Sequence, residues 1–499
     1  MKKIFLLFST IGLLTITSCS DYLEQQSPDQ LTSENFWRNK ADAESALAAT
    51  YGQLECATNE WSFAEVKWPV EAYREDINEL GSDALNYQNW VELSTFTYTN
   101  GNSQFTSYWK INYRGISNAN QVIDKLPKVP ASAITDADRK QIEAEARFLR
   151  AYYHMKLLLN WDKIYVRDKY VTKESDLNVP LSTRPEAWDF ITKEFKAVAD
   201  ILPAKQTSDK TGRATSGAAN SYLGFAYLTR AYEETAQKQA FLNEALTALN
   251  KVQGYELIKD YVSMFDGTVK NSKESIFELQ FSETTANGAF YRNALHYWMA
   301  AGELGGWDEI LPSPMLVNEF KKEGKIATTG NYDTRFYSTI FFKDPYFNDA
   351  NNPLVLGTTY DEKFEGKDKP VYRRYIPSTQ DKMNQEFTAI NIPLMRYANV
   401  LLMQAEALNE LGRTGEAIPY INKVRERADM PAMTGTTAAA VKAQIEHERI
   451  IEFPLENYRF YDLRRWGKTK AALDAVGRSG FDAAKNNFYP IPLMELQTN

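Results

Sequence analysis

The sequence predicts a mainly α-helical protein, in which a scaffold of paired helices carries a loop-rich insertion with short strands. Apolar residues recur at spacings of three and four through residues 30–253 and 393–470, as on the buried face of amphipathic helices. Between about residues 254 and 392, glycine, proline, asparagine, aspartate and tyrosine become frequent and the helical spacing fades. No flexible linker divides the chain, so residues 19–499 are predicted to form a single domain.

Several stretches of the scaffold have the pattern of individual helices. DADRKQIEAEARFLRAYYHMKLLLN predicts a long helix over residues 136–160, and SYWKINYRGISNANQVIDKLP predicts one that stops near Pro127. LTSENFWRNKADAESALAATYGQL predicts a first helix, with Ser33 as its N-cap. The other predicted helices lie over residues 218–235 and 240–252 and, as a pair, within residues 396–428.

The last pair of predicted helices has the spacing of a tetratricopeptide-type repeat. Small and large apolar residues stand where that pattern lets two antiparallel helices approach closely, at Ala405, Leu408, Ala417, Ile421 and Val424. Ala226 and Ala245 indicate a second, degenerate copy. Because the copies are few, the helices are expected to form a scaffold rather than a regular solenoid.

Three segments of the loop-rich insertion are predicted as strands. ESIFELQFSE, over residues 274–283, alternates apolar and polar residues as a half-buried strand does. NYDTRFYSTIFF and PVYRRYIP, at residues 331–342 and 370–377, are rich in the β-branched and aromatic residues that strands favour.

Residues 1–18 have the pattern of a secretion signal. Two lysines precede an apolar run that is shorter than the roughly 20 residues needed to cross a membrane. The run ends in Ile-Thr-Ser-Cys, which resembles the lipobox of bacterial lipoproteins and implies a lipid on Cys19 that anchors the mature chain to a membrane. An uncleaved anchor and a secreted protein without a lipid are the alternatives. Cys56 is the only other cysteine, so no disulfide is expected once Cys19 is lipidated.

The amino-acid composition limits which kinds of molecule the protein is expected to bind. The chain has 57 basic and 65 acidic residues, which argues against nucleic-acid binding because that needs a basic surface. The 29 tyrosines and 10 tryptophans exceed what the core alone is expected to use, and favour recognition by surface rings. No cofactor is expected. The loops rich in aspartate and asparagine could hold calcium, but they lack an ordered ligand pattern such as an EF-hand loop.

Catalytic motifs are scarce. The three histidines are isolated in the sequence, and His447-Glu448 lacks the second histidine of a zinc-binding H-E-x-x-H motif. A glycosidase stays open, because its two carboxylates can lie anywhere in a sequence.

The charged stretch ERIIEFPLENYRFYDLRRWG, residues 448–467, has two interpretations. Glu452 and Glu456 could serve as an acid/base pair. Arginines and acids spaced by three or four residues instead favour an ion-pair network on one helical face, with Trp466 packed beside it. The ion-pair interpretation is favoured.

Two loops have the composition of a sugar-binding surface, which needs flat rings for the apolar C–H faces of the sugar and polar groups for its hydroxyls. They are GSDALNYQNWVEL and YRNALHYWMAAGELGGWDEI. Trp90 and Trp307 are preferred because turn-forming residues flank both, although packing in the core is the alternative for each tryptophan. Gly305-Gly306 is expected to present Trp307 on a turn. The candidate ligand residues are Asp83, Tyr87, Asn89, Trp90, Tyr297, Trp298, Trp307 and Asp308, with Trp61 and Arg74 as additions.

Five motifs in sequence order give the chain a family resemblance. CSDYLEQ, SYWKINYRGISNANQVID, AEARFLRAYYHMKLL, RYANVLLMQAEALNELG and the charged C-terminal stretch together resemble the SusD/RagB family of outer-membrane lipoproteins. The terminal FYPIPLMELQTN also fits, although family members usually continue further, so a short segment is expected to be missing after Asn499. The resemblance covers nearly the whole chain.

The resemblance implies a function that composition does not. Members of this family bind glycans at the outer surface of the outer membrane and pass oligosaccharides to a SusC-like TonB-dependent transporter, over which they sit as a lid. Their tetratricopeptide-like helices face that barrel, and the loop-rich part carries the sugar site. The expected function is therefore non-catalytic glycan capture. The alternatives are a surface glycoside hydrolase and a helical-repeat scaffold or peptide-capturing lipoprotein.

Overall fold

The computed structural model describes residues 36–55, 68–283, 292–352 and 354–497, and within them the protein is mainly helical, as predicted. The signal sequence, Cys19, Cys56 and Trp61 lie outside these residues. The helices before the insertion are α1 (Lys40–Gly52), α2 (Gln88–Thr95), α3 (Ser103–Lys125), α4 (Asp136–Asn160), α5 (Arg184–Ala199), α6 (Ser216–Glu233) and α7 (Lys238–Leu249).

Capping explains where these helices begin. The Thr135 side chain accepts a hydrogen bond from the Asp138 main-chain N–H, and α4 spans the predicted residues 136–160. Asn39 caps α1 in the same way, and the predicted N-cap Ser33 lies outside the described residues. Residues 36–39 are not helical, so the predicted helix does not run unbroken from Ser33, and the Asp42 main-chain N–H donates to the Asn39 side chain at 3.1 Å.

Successive helices pack against one another in a layered scaffold. α3 packs on α4, α4 on α5, α5 on α6 and α6 on α7. The last pair approaches closely, since a Cβ atom on Gly224 would lie 2.5 Å from the Leu249 side chain. Ala226 and Ala245 are fully buried, as the repeat pattern predicts.

Short elements make up the insertion and its contacts. The strands are β1 (Asn78–Leu80), β2 (Ser275–Leu279), β3 (Ile310–Pro312), β4 (Ile340–Phe341), β5 (Val371–Tyr372) and β6 (Ile392–Arg396). They form three antiparallel pairs, β1–β3, β2–β6 and β4–β5. The helices of this region are α8 (Leu295–Met299), α9 (Pro314–Lys321), α10 (Thr334–Thr339), α11 (Tyr360–Phe364) and α12 (Gln380–Met383).

One of the three strand predictions is confirmed, one is confirmed for two residues and one is mostly wrong. β2 lies within residues 274–283, and β5 lies within PVYRRYIP. The segment 331–342 contains the helix α10 and only two strand residues. Asp333 caps this helix, and the Phe336 ring stacks on Phe342 with ring centroids 3.8 Å apart, so aromatic packing is satisfied in a helical turn.

After the insertion, the chain rejoins the helical scaffold. β6 leads directly into α13, which packs on α7, and two further helices follow on α13. The C-terminal helices are α13 (Tyr397–Glu410), α14 (Thr414–Arg427), α15 (Ala438–Glu452), α16 (Arg459–Arg465), α17 (Thr469–Ala475), α18 (Ala483–Asn486) and α19 (Leu493–Gln497). Among the described residues, none of the helices combines the length and the apolar character that spanning a membrane requires.

The charged C-terminal stretch forms a buried ion-pair network, as favoured from the sequence. The Glu452 carboxylate accepts hydrogen bonds from Arg335 (3.0 Å), Arg396 (2.9 Å) and Arg427 (2.5 Å). Glu456 pairs with Arg396 at 2.6 Å. The prediction that these charges share one helical face is wrong, because α15 ends at Glu452 and the partners come from distant segments.

The rest of the network ties α15 and α16 to each other and to α13. Arg449 on α15 donates to Asp462 on α16 at 2.7 and 3.0 Å. Arg465 donates to Glu406 on α13, and the Trp466 ring N–H donates to the same carboxylate at 2.9 Å. The predicted place of Trp466 beside the network is therefore confirmed.

Candidate functional site

The β1–β3 pair brings the two predicted loops together. Leu80 pairs with Ile310, and directly beyond them the Gly81 N–H donates to the Glu309 carbonyl at 3.0 Å. A Cβ atom at Gly81 would lie 1.7 Å from the Asp308 carbonyl oxygen, so only glycine fits this crossing. Residues 81–87 (the first loop) and 300–309 (the second loop) therefore form one continuous surface.

A stacked pair of rings joins the second loop to α8. The Trp307 and Tyr297 rings have centroids 5.3 Å apart and an angle of 17° between their planes, and both residues are half-buried. The Trp307 N–H donates to the Tyr297 carbonyl at 2.8 Å, which locks the two residues together. Gly305 adopts a φ of 91°, and Gly306 packs so tightly that a Cβ atom would lie 2.1 Å from the Ala300 carbonyl oxygen. The predicted glycine turn is present and carries Trp307.

A second group of rings lies at the first loop. Tyr87 is 44% exposed, and its ring centroid lies 4.0 Å from that of Trp90. Trp90 is 4% exposed and Trp298 is 2% exposed, with 4.8 Å between their centroids. The prediction that these two tryptophans are displayed is wrong, because α2 and α8 turn them into the core, where Tyr73 also packs on Trp90. Trp90 packs on the Tyr87 ring, and Trp298 packs on Trp90.

Polar side chains surround the rings. Asn86 donates to Asp83 at 3.0 Å, and the Asn89 side chain donates to Ser103 at 3.3 Å. Asp83 and Asn89 are partly exposed beside Tyr87, while Leu85, which the sequence did not single out, is 61% exposed. Carboxylate and amide groups beside exposed rings are the arrangement that hydroxyl-rich ligands need.

Asp308 fastens the two loops and is not free to bind a ligand. Its carboxylate accepts from the Ser82 N–H at 3.1 Å and the Ser82 hydroxyl at 2.8 Å, and lies 3.3 Å from the Lys369 ammonium. Burial alone would raise the pKa of Asp308, but these hydrogen bonds hold it below its ordinary value. The prediction of Asp308 as a ligand contact is corrected to a structural role. Lys369 was missed, because it lies far away in sequence with no motif around it.

Glu309 is a buried acid beneath the first loop. Burial raises the pKa of Glu309 to about 9, and a hydrogen bond to Asp83 and the charges of Asp83 and Asp308 act in the same direction. The side chain is 1% exposed, and the raised pKa leaves it protonated at neutral pH.

Replacing Glu309 with glutamine is expected to stabilise the protein at alkaline pH. The folded state holds a proton that the unfolded chain loses above about pH 4.5, so the contribution of Glu309 to stability decreases as pH rises towards 9. Glutamine at this position keeps a hydrogen-bond donor but has no proton to lose as the pH rises. We expect a thermal midpoint about 1–3 °C above wild type at pH 8 and no difference at pH 4. Exposed Glu256→Gln is the control, and an equal gain at both pH values would contradict the assignment.

Arg74 lies away from this surface. It is fully buried, its guanidinium lies 4.0 Å from the Phe460 ring centroid and 4.7 Å from that of Tyr489, and it donates to Asn160 at 2.6 Å. The prediction that Arg74 contacts a ligand is wrong, because the side chain joins the C-terminal segment to the end of α4.

One group of side chains among the described residues has the spacing of metal ligands. Glu323, His447 and Glu448 offer donor atoms within 4.8 Å of one another. Arg425 already binds both carboxylates, at 2.8 and 2.7 Å, and a cation there would compete with this guanidinium. The expectations of no cofactor, and of loops that could hold calcium, stay predictions.

Comparison with known proteins matches both halves of the chain to related families. A model described as the SusD family matches residues 273–499, and one described as starch-binding and associating with the outer membrane matches residues 21–228. SusD-like protein P2 of Formosa agariphila is 27% identical, and the alignment covers 100% of this chain and 98% of that protein.

Solved structures have the same fold. A SusD superfamily protein from Bacteroides vulgatus has a TM-score of 0.80 at 26% identity, with 93% of this chain and 98% of that chain covered. A laminarin-binding SusD-like protein has a TM-score of 0.73 at 24% identity, with the same coverage.

The helical scaffold and the family models place the protein in a class described as SusD-like, starch-binding and associating with the outer membrane. The chain belongs to the SusD/RagB family, and the related model that matches residues 21–228 describes association with the outer membrane. The resemblance inferred from the five motifs is thereby confirmed.

Proposed function

We propose that the protein captures glycans at the cell surface and delivers them to a SusC-like TonB-dependent transporter without cleaving them. The observation that carries the proposal is the Trp307–Tyr297 stack, together with the exposed Tyr87 on the loop that crosses the second loop at Gly81. Ring faces of this kind bind the C–H faces of sugars, while Asp83 and Asn89 are placed to bind hydroxyls. The laminarin-binding protein of the same fold supports a glycan as the ligand.

The proposal of binding without catalysis rests on the carboxyl groups of this surface. A glycosidase needs two carboxyl groups on either side of the scissile bond, one of them protonated. Glu309 is protonated but buried, and Asp308 is held by Ser82 and Lys369. Solved relatives are described as binding proteins, which agrees with a role in capture.

The proposed location is the outer surface of the outer membrane, with a lipid on Cys19 as anchor. The family description of outer-membrane association supports this proposal. A lipid at the chain start would leave the whole helical scaffold in water and close to a partner barrel. Delivery to that barrel requires only that the site hold the glycan weakly enough to release it.

Replacing Trp307 with alanine is expected to weaken glycan binding about 10- to 30-fold, because a ring at the centre of a binding surface carries much of the affinity. Titration calorimetry with starch, laminarin and a panel of other soluble glycans measures the dissociation constant. Tyr420→Ala is the matched control, because this half-buried ring lies in a groove between α7, α13 and α14. The control variant should bind as wild type does.

The same experiment separates the alternatives. Release of reducing sugar from any glycan of the panel would indicate a hydrolase. Binding of peptides but not of glycans would favour a peptide-capturing lipoprotein, and no binding of either would favour a scaffold. Equal affinity of Trp307→Ala and wild type for a bound glycan would move the site away from the second loop.

A further inference from the structure

A pocket outside the two loops opens at the carboxyl end of α4. Its cavity volume is about 510 Å³, which lies in the range of small-molecule sites. None of its lining residues belongs to either loop. Its wall includes the aromatic residues Trp188, Tyr232, Tyr461 and Phe488, the arginines Arg184 and Arg464, and the acids Asp162, Glu233 and Glu234.

The two arginines bind the end of α4 in the same way. Each uses Nη1 to donate to main-chain carbonyls of its last turn, Arg184 to Leu158 at 2.8 Å and Arg464 to Leu159 at 2.8 Å. Both guanidinium groups also lie over the Phe488 ring, 4.3 and 4.2 Å from its centroid. One side of each guanidinium is therefore already hydrogen-bonded to the main chain.

The two arginines differ at the other edge of the guanidinium, which carries Nε and Nη2. Arg184 holds the Glu233 carboxylate there in a two-point pair, at 2.9 and 2.7 Å. Within the described part of the chain, no acceptor binds Nε or Nη2 of Arg464, and neither atom is sealed inside the protein. Burial and the charge of Arg184 lower the pKa of Arg464 to about 9, so the group stays charged at neutral pH.

We propose that this pocket is a second ligand site, which binds a carboxylate carried on a small ring. Arg464 supplies the two-point anchor, in the arrangement that Arg184 and Glu233 show a short distance away. The aromatic wall, with the partly exposed rings of Tyr232 and Phe488, covers the body of the ligand. The carboxylate comes from either a sugar acid or a free organic acid, and the site does not depend on glycan binding at the two loops.

The test compares three ring-sized probes on the complete chain by ligand-observed NMR titration. Glucuronate and cyclohexanecarboxylate carry the carboxylate, and glucose is the neutral match of the first. Each is titrated into wild type, Arg464→Gln and Arg464→Lys, with the thermal midpoint of every variant recorded. Lysine keeps the charge but loses the two-point geometry, so it serves also if the glutamine variant does not fold.

We expect both acids to bind at least about tenfold more tightly than glucose, because the charged hydrogen bonds are the main attraction. Arg464→Gln should lose about tenfold in affinity for the acids, and Arg464→Lys a smaller factor. Tighter binding of glucuronate would identify a sugar acid as the source, and tighter binding of cyclohexanecarboxylate an organic acid. Equal binding of glucose and glucuronate, or unchanged affinity in the folded Arg464 variants, would overturn the proposal.

Discussion

Replacing Glu452 with glutamine is expected to lower the free energy of unfolding by about 3–5 kcal/mol, the largest loss of stability predicted for this chain. The carboxylate is fully buried and faces Arg335, Arg396 and Arg427. Glutamine has nearly the same shape but no charge, so three buried guanidinium groups would lose a shared counter-ion. Denaturant unfolding followed by circular dichroism measures the change.

The pH dependence of the stability of this variant is an independent test of the role of Glu452. Burial alone would raise the pKa of Glu452, but the three arginines hold it well below its ordinary value. The stability that Glu452 contributes is therefore present above about pH 4.5 and is lost as the pH falls below that value. Glu452→Gln should be flatter than wild type over this range.

Exposed Glu416, which pairs with Arg413, is the matched control for the glutamine substitution. Glu416→Gln should unfold as wild type does, because exposed pairs of this kind contribute little. A loss below about 1 kcal/mol for Glu452→Gln would show that the network does not hold the C-terminal segment to the insertion.

Replacing Gly81 with alanine is expected to cost about 3 kcal/mol and to abolish glycan binding at the two loops. The new Cβ atom would lie 1.7 Å from the Asp308 carbonyl oxygen and 2.4 Å from its carbonyl carbon. Both are main-chain atoms that no side-chain rotation can move, so the loops must separate. Unfolding and glycan titration, carried out on the same preparation, measure the two effects.

Gly415→Ala is the matched control for Gly81→Ala. Gly415 lies in the first turn of α14 with no atom within 4 Å of an added Cβ, and alanine favours helix. Its stability should be equal to or slightly above that of wild type, with unchanged glycan affinity. Wild-type affinity in Gly81→Ala would mean that the site does not need the β1–β3 crossing.

The main helices followed from local patterns. Residues 136–160 were predicted to the residue, because their apolar spacing is continuous and Thr135 is a strong cap. The helix α10 was predicted as a strand, because a short run of aromatic residues fits either structure and its stacking partner Phe320 lies outside the run.

The candidate site was only partly predictable. Trp307 followed from its glycine turn, whose conformation is a local property. The burial of Trp90 and Trp298 depends on each other and on Tyr73, which no spacing reveals. Arg74 was misplaced for the same reason, since its ring neighbours belong to the far C-terminus.

By itself, the sequence determined the helical class and the loops that carry rings, because periodicity, capping and turn chemistry act between residues a few positions apart. The family followed from the resemblance of five motifs. Only the tertiary structure decided which rings are exposed to water, that Asp308 holds the two loops together, and that Glu452 belongs to a buried ion-pair network. Those outcomes depend on contacts between segments hundreds of residues apart, such as the β1–β3 crossing. Burial and partner charge are properties of such contacts, and no local pattern encodes them.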